Sequence, residues 1–356
     1  MPRHSLRASL VVAGVAVILA AFAAGCKRRK PPSLERVWLG RSHGCALEKN
    51  AGLSCWGKND EGQLGDGTKQ DRRFATRAAS RDRPDALALG PHHTCGLFGG
   101  AVRCWGLEPP SDLPPSGFTA IAVGGDVTCA IHPNGPRCWS PDFFKKGPAK
   151  NWLDTPGLAG ARLLGGGPSF LCAAFDAPKV VRCWGGAAWE PPHAELLKGL
   201  DVVSLTTGAG HACAVVADGT AMCWGQNDEG QVGDGTKTLA KIPVQVVGLA
   251  GAASVHAGLK HTCARIKNGT VACWGDNHHY QLANGTTESS STPRAMFALT
   301  GVQEVAVGGD NSCVRLTDGL VKCWGANDVG QLGDGSTFDN SVPMPIRWNA
   351  ADGAMR

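Results

Sequence analysis

The sequence predicts an all-β protein, a seven-bladed β-propeller of four-stranded blades, on three observations. First, one pattern recurs: a cysteine, a short hairpin-like stretch, then Cys-Trp-Gly. It stands at Cys45–Gly57, Cys213–Gly225, Cys263–Gly275 and Cys313–Gly325, with looser copies beginning at Cys95, Cys129 and Cys172. Repetition of one unit signals an architecture in which no unit buries its apolar face alone. Second, the tryptophans of successive units lie 34 to 50 residues apart, a period that suits propeller blades better than solenoid coils. Third, 49 glycines and 22 prolines punctuate short apolar stretches in a chain of 356 residues, and long amphipathic helical runs are absent.

Taken in order, residues 1–25 read as an export signal. Arg3, His4 and Arg7 form a charged start, Ala8–Ala24 is a run of apolar and small residues, and Ala23-Ala24-Gly25 precedes Cys26. Small residues before a cysteine resemble a bacterial lipobox, with Ala23 where leucine is usual. The resemblance implies cleavage before Cys26 and diacylation of its thiol, hence a lipoprotein. An uncleaved membrane anchor is the alternative, and both readings put the rest of the chain outside the cytoplasm. Residues 26–35 form the lipidated cysteine and a tether containing Lys27-Arg28-Arg29-Lys30-Pro31-Pro32. Residues 36–348 form the propeller and 349–356 a tail.

The first unit shows its strands at Val37–Leu39, Cys45–Leu47 and Leu53–Trp56. A loop over Gly57–Thr68 and a fourth strand near Phe74 follow. In the sixth unit, Lys267-Asn268-Gly269 sits midway between Cys263 and Cys273. A short turn with Gly269 in the left-handed region places these cysteines opposite each other on paired strands. Fourteen of the 15 cysteines pair this way. The expected disulfides are Cys45–Cys55, Cys95–Cys104, Cys129–Cys138, Cys172–Cys183, Cys213–Cys223, Cys263–Cys273 and Cys313–Cys323. Spacing that recurs once per unit suits cross-strand pairs better than zinc, and paired cysteines indicate an oxidising compartment. Each staple closes a short loop and contributes on the order of 2–3 kcal/mol in the entropic account. Ile242–Val246, Thr292–Met296 and Val342–Ile346 each contain proline and read as outer strands, where a missing N–H donor is tolerated. Units two, three and four depart from the pattern. They lack the glycine-rich loop after Trp105, Trp139 and Trp184, and they gain Phe143, Phe144, Trp152 and Trp189.

Several residue sets invite a chemical reading. His43, His93, His211 and His261 each stand two residues before a cysteine. Their recurrence on separate blades favours a repeated hydrogen bond to a neighbouring loop over a metal ring. The Asp- and Asn-rich loops, with Asn59, Asp60, Asp66, Asp228 and Asp234, supply oxygen atoms that a hard cation wants, yet the same residues are ordinary turn formers. The tryptophans after the second cysteines read as packing residues. No nucleophile elbow, zinc-protease helix or phosphate loop is present, so neither a metal nor another cofactor is expected. The formal charge of +5 sits partly in Arg3, Arg7 and Lys27–Lys30, which leaves no nucleic-acid footprint on the propeller. The aromatic residues Phe143, Phe144, Trp152 and Trp189, with Lys145 and Lys146, are the candidate protein interface, because aromatic and cationic anchors dominate such surfaces.

The loops GKNDEGQLGDGT at Gly57–Thr68, GQNDEGQVGDGT at Gly225–Thr236 and GANDVGQLGDGS at Gly325–Ser336 closely resemble the repeat of the regulator of chromosome condensation family. GAGHAC at Gly208–Cys213 and GLKHTC at Gly258–Cys263 resemble the opening of that family's second strand. The resemblance covers roughly Arg36–Arg347. It implies a ring closed by bringing N- and C-terminal segments into one blade, with Val342–Trp348 near Val37–Leu39. The paired cysteines resemble secreted bacterial versions. Nucleotide exchange on a small GTPase, the family's founding activity, is disfavoured by export. The expected function is an envelope-anchored, monomeric binding module for an unidentified protein, held to the membrane through Cys26. The alternative is a glycan-binding protein or hydrolase that uses the axial face of the ring.

Overall fold

The computed structural model describes residues 32–107, 115–124, 127–133, 137–139, 158, 160–167, 170–184, 195–296 and 299–349. The chain divides at Pro32/Ser33 into two units, and the ring lies in the second. Cys26 and the candidate interface residues Phe143, Phe144, Lys145, Lys146, Trp152 and Trp189 lie outside the described residues. Among the described residues all regular elements are strands, grouped in seven antiparallel sheets.

Each blade is built from one contiguous stretch. Blade 1 comprises Leu34–Leu39, His43–Glu48, Gly52–Gly57 and Arg72–Arg77. Blades 5, 6 and 7 repeat this plan and end in Ala240–Gln245, Ser290–Ala295 and Asn340–Pro345. Those outer strands carry the prolines expected of them, at Pro243, Pro293 and Pro343, where the outward N–H position goes unused.

Blades 2, 3 and 4 have three strands among the described residues, not the four expected. The glycine loop carries the chain out to the blade edge in blades 1, 5, 6 and 7, and these three blades lack it. Blade 4 keeps a remnant: Val181 and Leu196 exchange two backbone hydrogen bonds of 2.8 Å at the fourth-strand position.

All seven disulfides join directly opposed residues of the two middle strands. Cys263 faces Cys273 and Cys313 faces Cys323. The Cα atoms of the seven pairs are 4.0–4.1 Å apart. Opposed residues otherwise sit about 4.5–5.5 Å apart, so the ladder is pinched at each pair. Seven buried disulfides mark a protein that matures in an oxidising, extracytoplasmic compartment.

The apolar cores lie between blades. One cluster joins Val215, Cys223 and Val232 of blade 5 to Val255, Ala272 and Trp274 of blade 6. The cluster joining blade 7 to blade 1 contains Ala306, Val321, Leu332 and Ile346 with Leu34, Val37, Trp56 and Ala75. This last cluster closes the ring. Ala75 donates to Arg347 O at 2.8 Å, and Gly335 donates to Arg73 O at 2.8 Å. The carboxyl end therefore docks on the outer strand of blade 1 and forms no strand within that blade, contrary to the expected shared blade. Blade 1 already has four strands of its own, which leaves the tail only an edge-on contact.

Around the axis, the blades approach too closely for side chains. A Cβ on Gly258 would stand 2.7 Å from Gly309 O, and one on Gly308 would stand 2.3 Å from Gly40 O. Glycine at the end of the innermost strands lets the backbones pack directly.

Candidate functional site

The glycine loops do their work between blades, and the sequence conceals which neighbour each one serves. The loop is organised by one buried asparagine. Asn59 donates to Asp66 Oδ1 at 3.1 Å, Thr68 O at 3.1 Å and Gln70 O at 3.0 Å, and its Oδ1 accepts from Leu64 N at 2.9 Å. Asn227, Asn277 and Asn327 hold the same place in blades 5, 6 and 7. Asp66 accepts from Arg72 at 2.7 Å and from Thr68 N at 3.0 Å. Burial pushes the Asp66 carboxyl upward, and the bonds from Arg72, Thr68 and Asn59 outweigh it and hold it below its ordinary range. Protein donors thus engage the loop carboxylate that a calcium reading would assign to a cation.

The fixed loop then caps the tryptophan of the next blade. Trp105 Nε1 donates to Gln63 O at 2.9 Å, Trp274 to Gln231 O at 2.9 Å, Trp324 to Gln281 O at 2.7 Å and Trp56 to Gln331 O at 2.9 Å. Blade 4 lacks the loop, and Trp224 Nε1 in blade 5 is buried with no acceptor among the described residues.

The histidines belong to the same junctions. His43 Nε2 meets Thr94 Oγ1 at 2.8 Å, and that hydroxyl donates to Gln63 O at 2.8 Å. The hydroxyl proton is committed to Gln63, so His43 Nε2 carries the donor hydrogen and the ring is neutral. His211 meets Thr262 at 2.8 Å, and Thr262 donates to Gln231 O at 2.9 Å. His261 meets Ser312 at 2.9 Å and His93 meets Thr128. Burial, aided by His93, lowers the His43 pKa to about 3, and burial lowers His261 to about 4. These histidines are ring-closure residues, each bonded to the following blade.

Concave regions among the described residues include one at the axis and one at the rim. The axial cavity, about 200 Å³, is lined chiefly by glycines and aliphatic side chains such as Leu39, Leu89, Val123 and Val307. Among the described residues its polar lining side chains are Thr207 and Arg41, with no carboxylate. The second, about 570 Å³, is a cleft at the outer rim of blade 1 lined by Lys49–Gly52, Arg77, Arg81 and Arg83.

The loop of blade 6 departs from its relatives. Tyr280 and Ala283 take φ of 62° and 49°, where blades 1, 5 and 7 place glycine. Its Asp276 and His278 approach Glu229 of blade 5, with ligand-type atoms within 4.8 Å of one another. His278 and Asp276 are hydrogen-bonded, which reverses the polarity of the Lys58–Asp60 pair, 2.9 Å apart, at the same loop position in blade 1.

Seven short sheets around an axis, each tied by one disulfide and several locked to a neighbour by a repeated polar junction, define a seven-blade propeller. The family model described as the regulator of chromosome condensation (RCC1) repeat matches residues 218–265, 268–315 and 318–351, and a second model of that repeat matches 202–231, 252–281 and 302–331. Residues 202–351, blades 5 to 7, thus carry repeats of this kind.

Among curated proteins it is similar to the ultraviolet-B receptor UVR8 of Arabidopsis thaliana, 26% identical over 233 residues, covering 60% of this chain and 46% of that protein. It is also similar to the human E3 ubiquitin-protein ligase HERC2, 42% identical over 62 residues, covering 17% of this chain and 1% of that protein. The chain thus spans less than half the length of either relative.

Among solved structures it resembles Prp20p of Saccharomyces cerevisiae, with a TM-score of 0.54 and 18% identity over 89% of this chain and 77% of that one. It likewise resembles the ectodomain of the Arabidopsis thaliana receptor kinase ACR4, with a TM-score of 0.56 and 18% identity over 88% of this chain and 99% of that one. At these identities the likeness is one of fold.

Proposed function

We propose that this protein is a protein-binding propeller of the bacterial envelope, exported and tethered through a lipid on Cys26. The observation that carries the reading is a rigid, disulfide-stapled ring whose buried polar groups are spent on blade junctions, leaving its loops and divergent blades as the variable surface. Prp20p is described by its binding to Gsp1p and histones, and yeast RCC1 was solved bound to Kap60; protein binding is therefore a use that this fold supports in relatives. The aliphatic and glycine lining of the axial cavity favours binding over the alternative, a glycan-binding protein or hydrolase acting at the axial face, because hydrolysis needs convergent carboxylates or histidines. Nucleotide exchange on a small GTPase is disfavoured by maturation in an oxidising compartment.

The interface proposed for the partner comprises Phe143, Phe144, Trp152 and Trp189 with Lys145 and Lys146, on the blades whose sequences diverge most. The protein acts as a monomer in this reading. The test is affinity capture from envelope extract with the mature chain, followed by titration of the captured protein against the purified chain. Replacing the four aromatic residues by alanine abolishes a stoichiometric complex if the reading holds. Capture that survives the replacements in a folded variant removes this interface.

A further inference from the structure

The cleft at the rim of blade 1 is built from a charge that packing does not demand. Its walls are the turn after His43–Glu48 and the linker from blade 1 to blade 2. Ala78, Val246 and Met296 make equivalent backbone bonds, to Leu53 O, Ala221 O and Val271 O, so the linkers that follow them can be aligned. The linker after Val246 reads VVGLAG, without a charge, whereas the linker after Ala78 reads AASRDRPD. The blade 1 linker is the longer one and adds Arg81 and Arg83 together with Asp82 and Asp85, whose carboxylates turn away to Arg103 and to Gly99 N.

Two of the cations are held in place. Arg83 donates to Glu48 O at 2.7 Å and Lys49 O at 3.2 Å, and it pairs with Glu35. Arg77 stands 3.6 Å from the buried Glu48 carboxylate. The side chains of Lys49 and Arg81 are exposed and engage no partner among the described residues. Four cations therefore face two carboxylates across the cleft, with one guanidinium free for a bidentate contact to an oxyanion.

The location says which oxyanion. Lys49 N donates to Ser33 O at 3.0 Å, so the first described residues of the ring run along this rim. In sequence they follow directly on Lys27-Arg28-Arg29-Lys30-Pro31-Pro32. Basic residues beside a membrane tether attract anionic lipid headgroups, at about 1 kcal/mol each, or roughly fivefold in affinity.

We propose that the Lys49–Arg81–Arg83 cleft binds the phosphate groups of anionic phospholipids and sets the blade 1 rim of the ring against the membrane surface. The proposal extends the envelope reading and is tested without it, on the ring unit from Ser33 onward, which lacks Cys26 and contains every interblade contact described above. Sedimentation with vesicles of phosphatidylglycerol and phosphatidylcholine at low salt shows binding, and vesicles of phosphatidylcholine alone show none. The paired substitution Lys49→Ala and Arg81→Ala weakens binding about 25-fold, from the same fivefold per cation, with an unchanged melting temperature, because neither side chain is used in the fold.

Equal binding by variant and parent, or no binding to anionic vesicles, overturns the proposal. A separate arm adds millimolar inorganic phosphate and follows the melting temperature. Stabilisation of the parent but not of the variant, without vesicle binding, would assign the cleft to a soluble oxyanion and overturn the lipid assignment.

Discussion

His211 and His261 show how a buried ionisable group becomes a pH dependence of the whole ring. Burial lowers their pKa values to about 3 and about 4. Above about 6.5 neither the folded nor the unfolded chain protonates them, and they add no slope. As pH falls below that value, the unfolded chain binds protons that the folded chain refuses, so stability is lost progressively down to the folded pKa. Each such histidine adds at most about 1.4 kcal/mol per pH unit within that window. Blade 7 carries Asn311 in the equivalent place, and Asn311 Nδ2 donates to Gln331 O at 3.5 Å. Urea titrations between pH 7 and 4 should therefore show a shallower pH dependence for His261→Asn than for the parent chain. The tryptophans provide a second comparison at this scale. Trp274→Phe removes a buried bond to Gln231 O, whereas Trp224→Phe removes an indole N–H that has no acceptor among the described residues. The first substitution should cost about 1 kcal/mol more than the second in chemical denaturation, since a hydrogen bond is lost only there, while Gln231 O keeps its bond from Thr262.

The glycine loop is the element that converts repeats into a ring. Its sequence was legible: the Asn, Asp and Gly positions announce a fixed loop, and the recurring cysteines announce the hairpins. The blade that each loop serves was not legible, because spacing within one unit carries no information about the unit across the junction. Gln63 reads as a solvated loop residue, yet its carbonyl is the shared acceptor for Thr94 and Trp105. The histidine bonds were expected to reach a neighbouring loop; they reach a strand hydroxyl of the next blade instead, and for His43 and His211 that hydroxyl returns to the loop of the histidine's own blade. The basic cleft was invisible for the same reason, since Lys49 and Arg81 are far apart in the chain and meet only when the turn packs on the linker. Replacing the hub, Asn227→Ala, leaves Val232 N and Thr236 O without their bonds. It should cost about 2–3 kcal/mol, on the scale of unpaired buried polar groups. Hydrogen exchange should then accelerate across residues 227–238 and at Trp274 while the blade 2 strands stay protected.

At the scale of the molecule, the seam between blades 7 and 1 keeps the loop-to-tryptophan bond of the other complete junctions, has Asn311 in place of the histidine, and adds a carboxylate clamp. Glu304 accepts from Arg36 at 3.1 Å, from Val37 N at 3.1 Å and from Arg315 at 3.2 Å. Ile346 is 8% exposed and shares its core with Val37 and Leu34. Truncation after Pro345 removes Ile346, the Arg347 bonds to Ala75 and Gly333, and the Trp348 contact. It should lower the melting temperature by about 3–5 °C, from roughly 2–3 kcal/mol of lost burial and bonding. Limited proteolysis should then begin at both ends of the ring. Scanning calorimetry under oxidising and reducing conditions would separate this loss from that of the staples.

That seam makes the ring a cyclic assembly written on one chain. Each blade presents one surface forward and a different one backward, and the rotation closes after seven steps, as in a head-to-tail oligomer of identical subunits. Among the described residues no blade borrows a strand from the far end, so the covalent break could sit in any of the interblade linkers without changing which surfaces meet. The fold therefore leaves the position of the chain break free, and the Lys49 N–Ser33 O bond marks where this chain has put it.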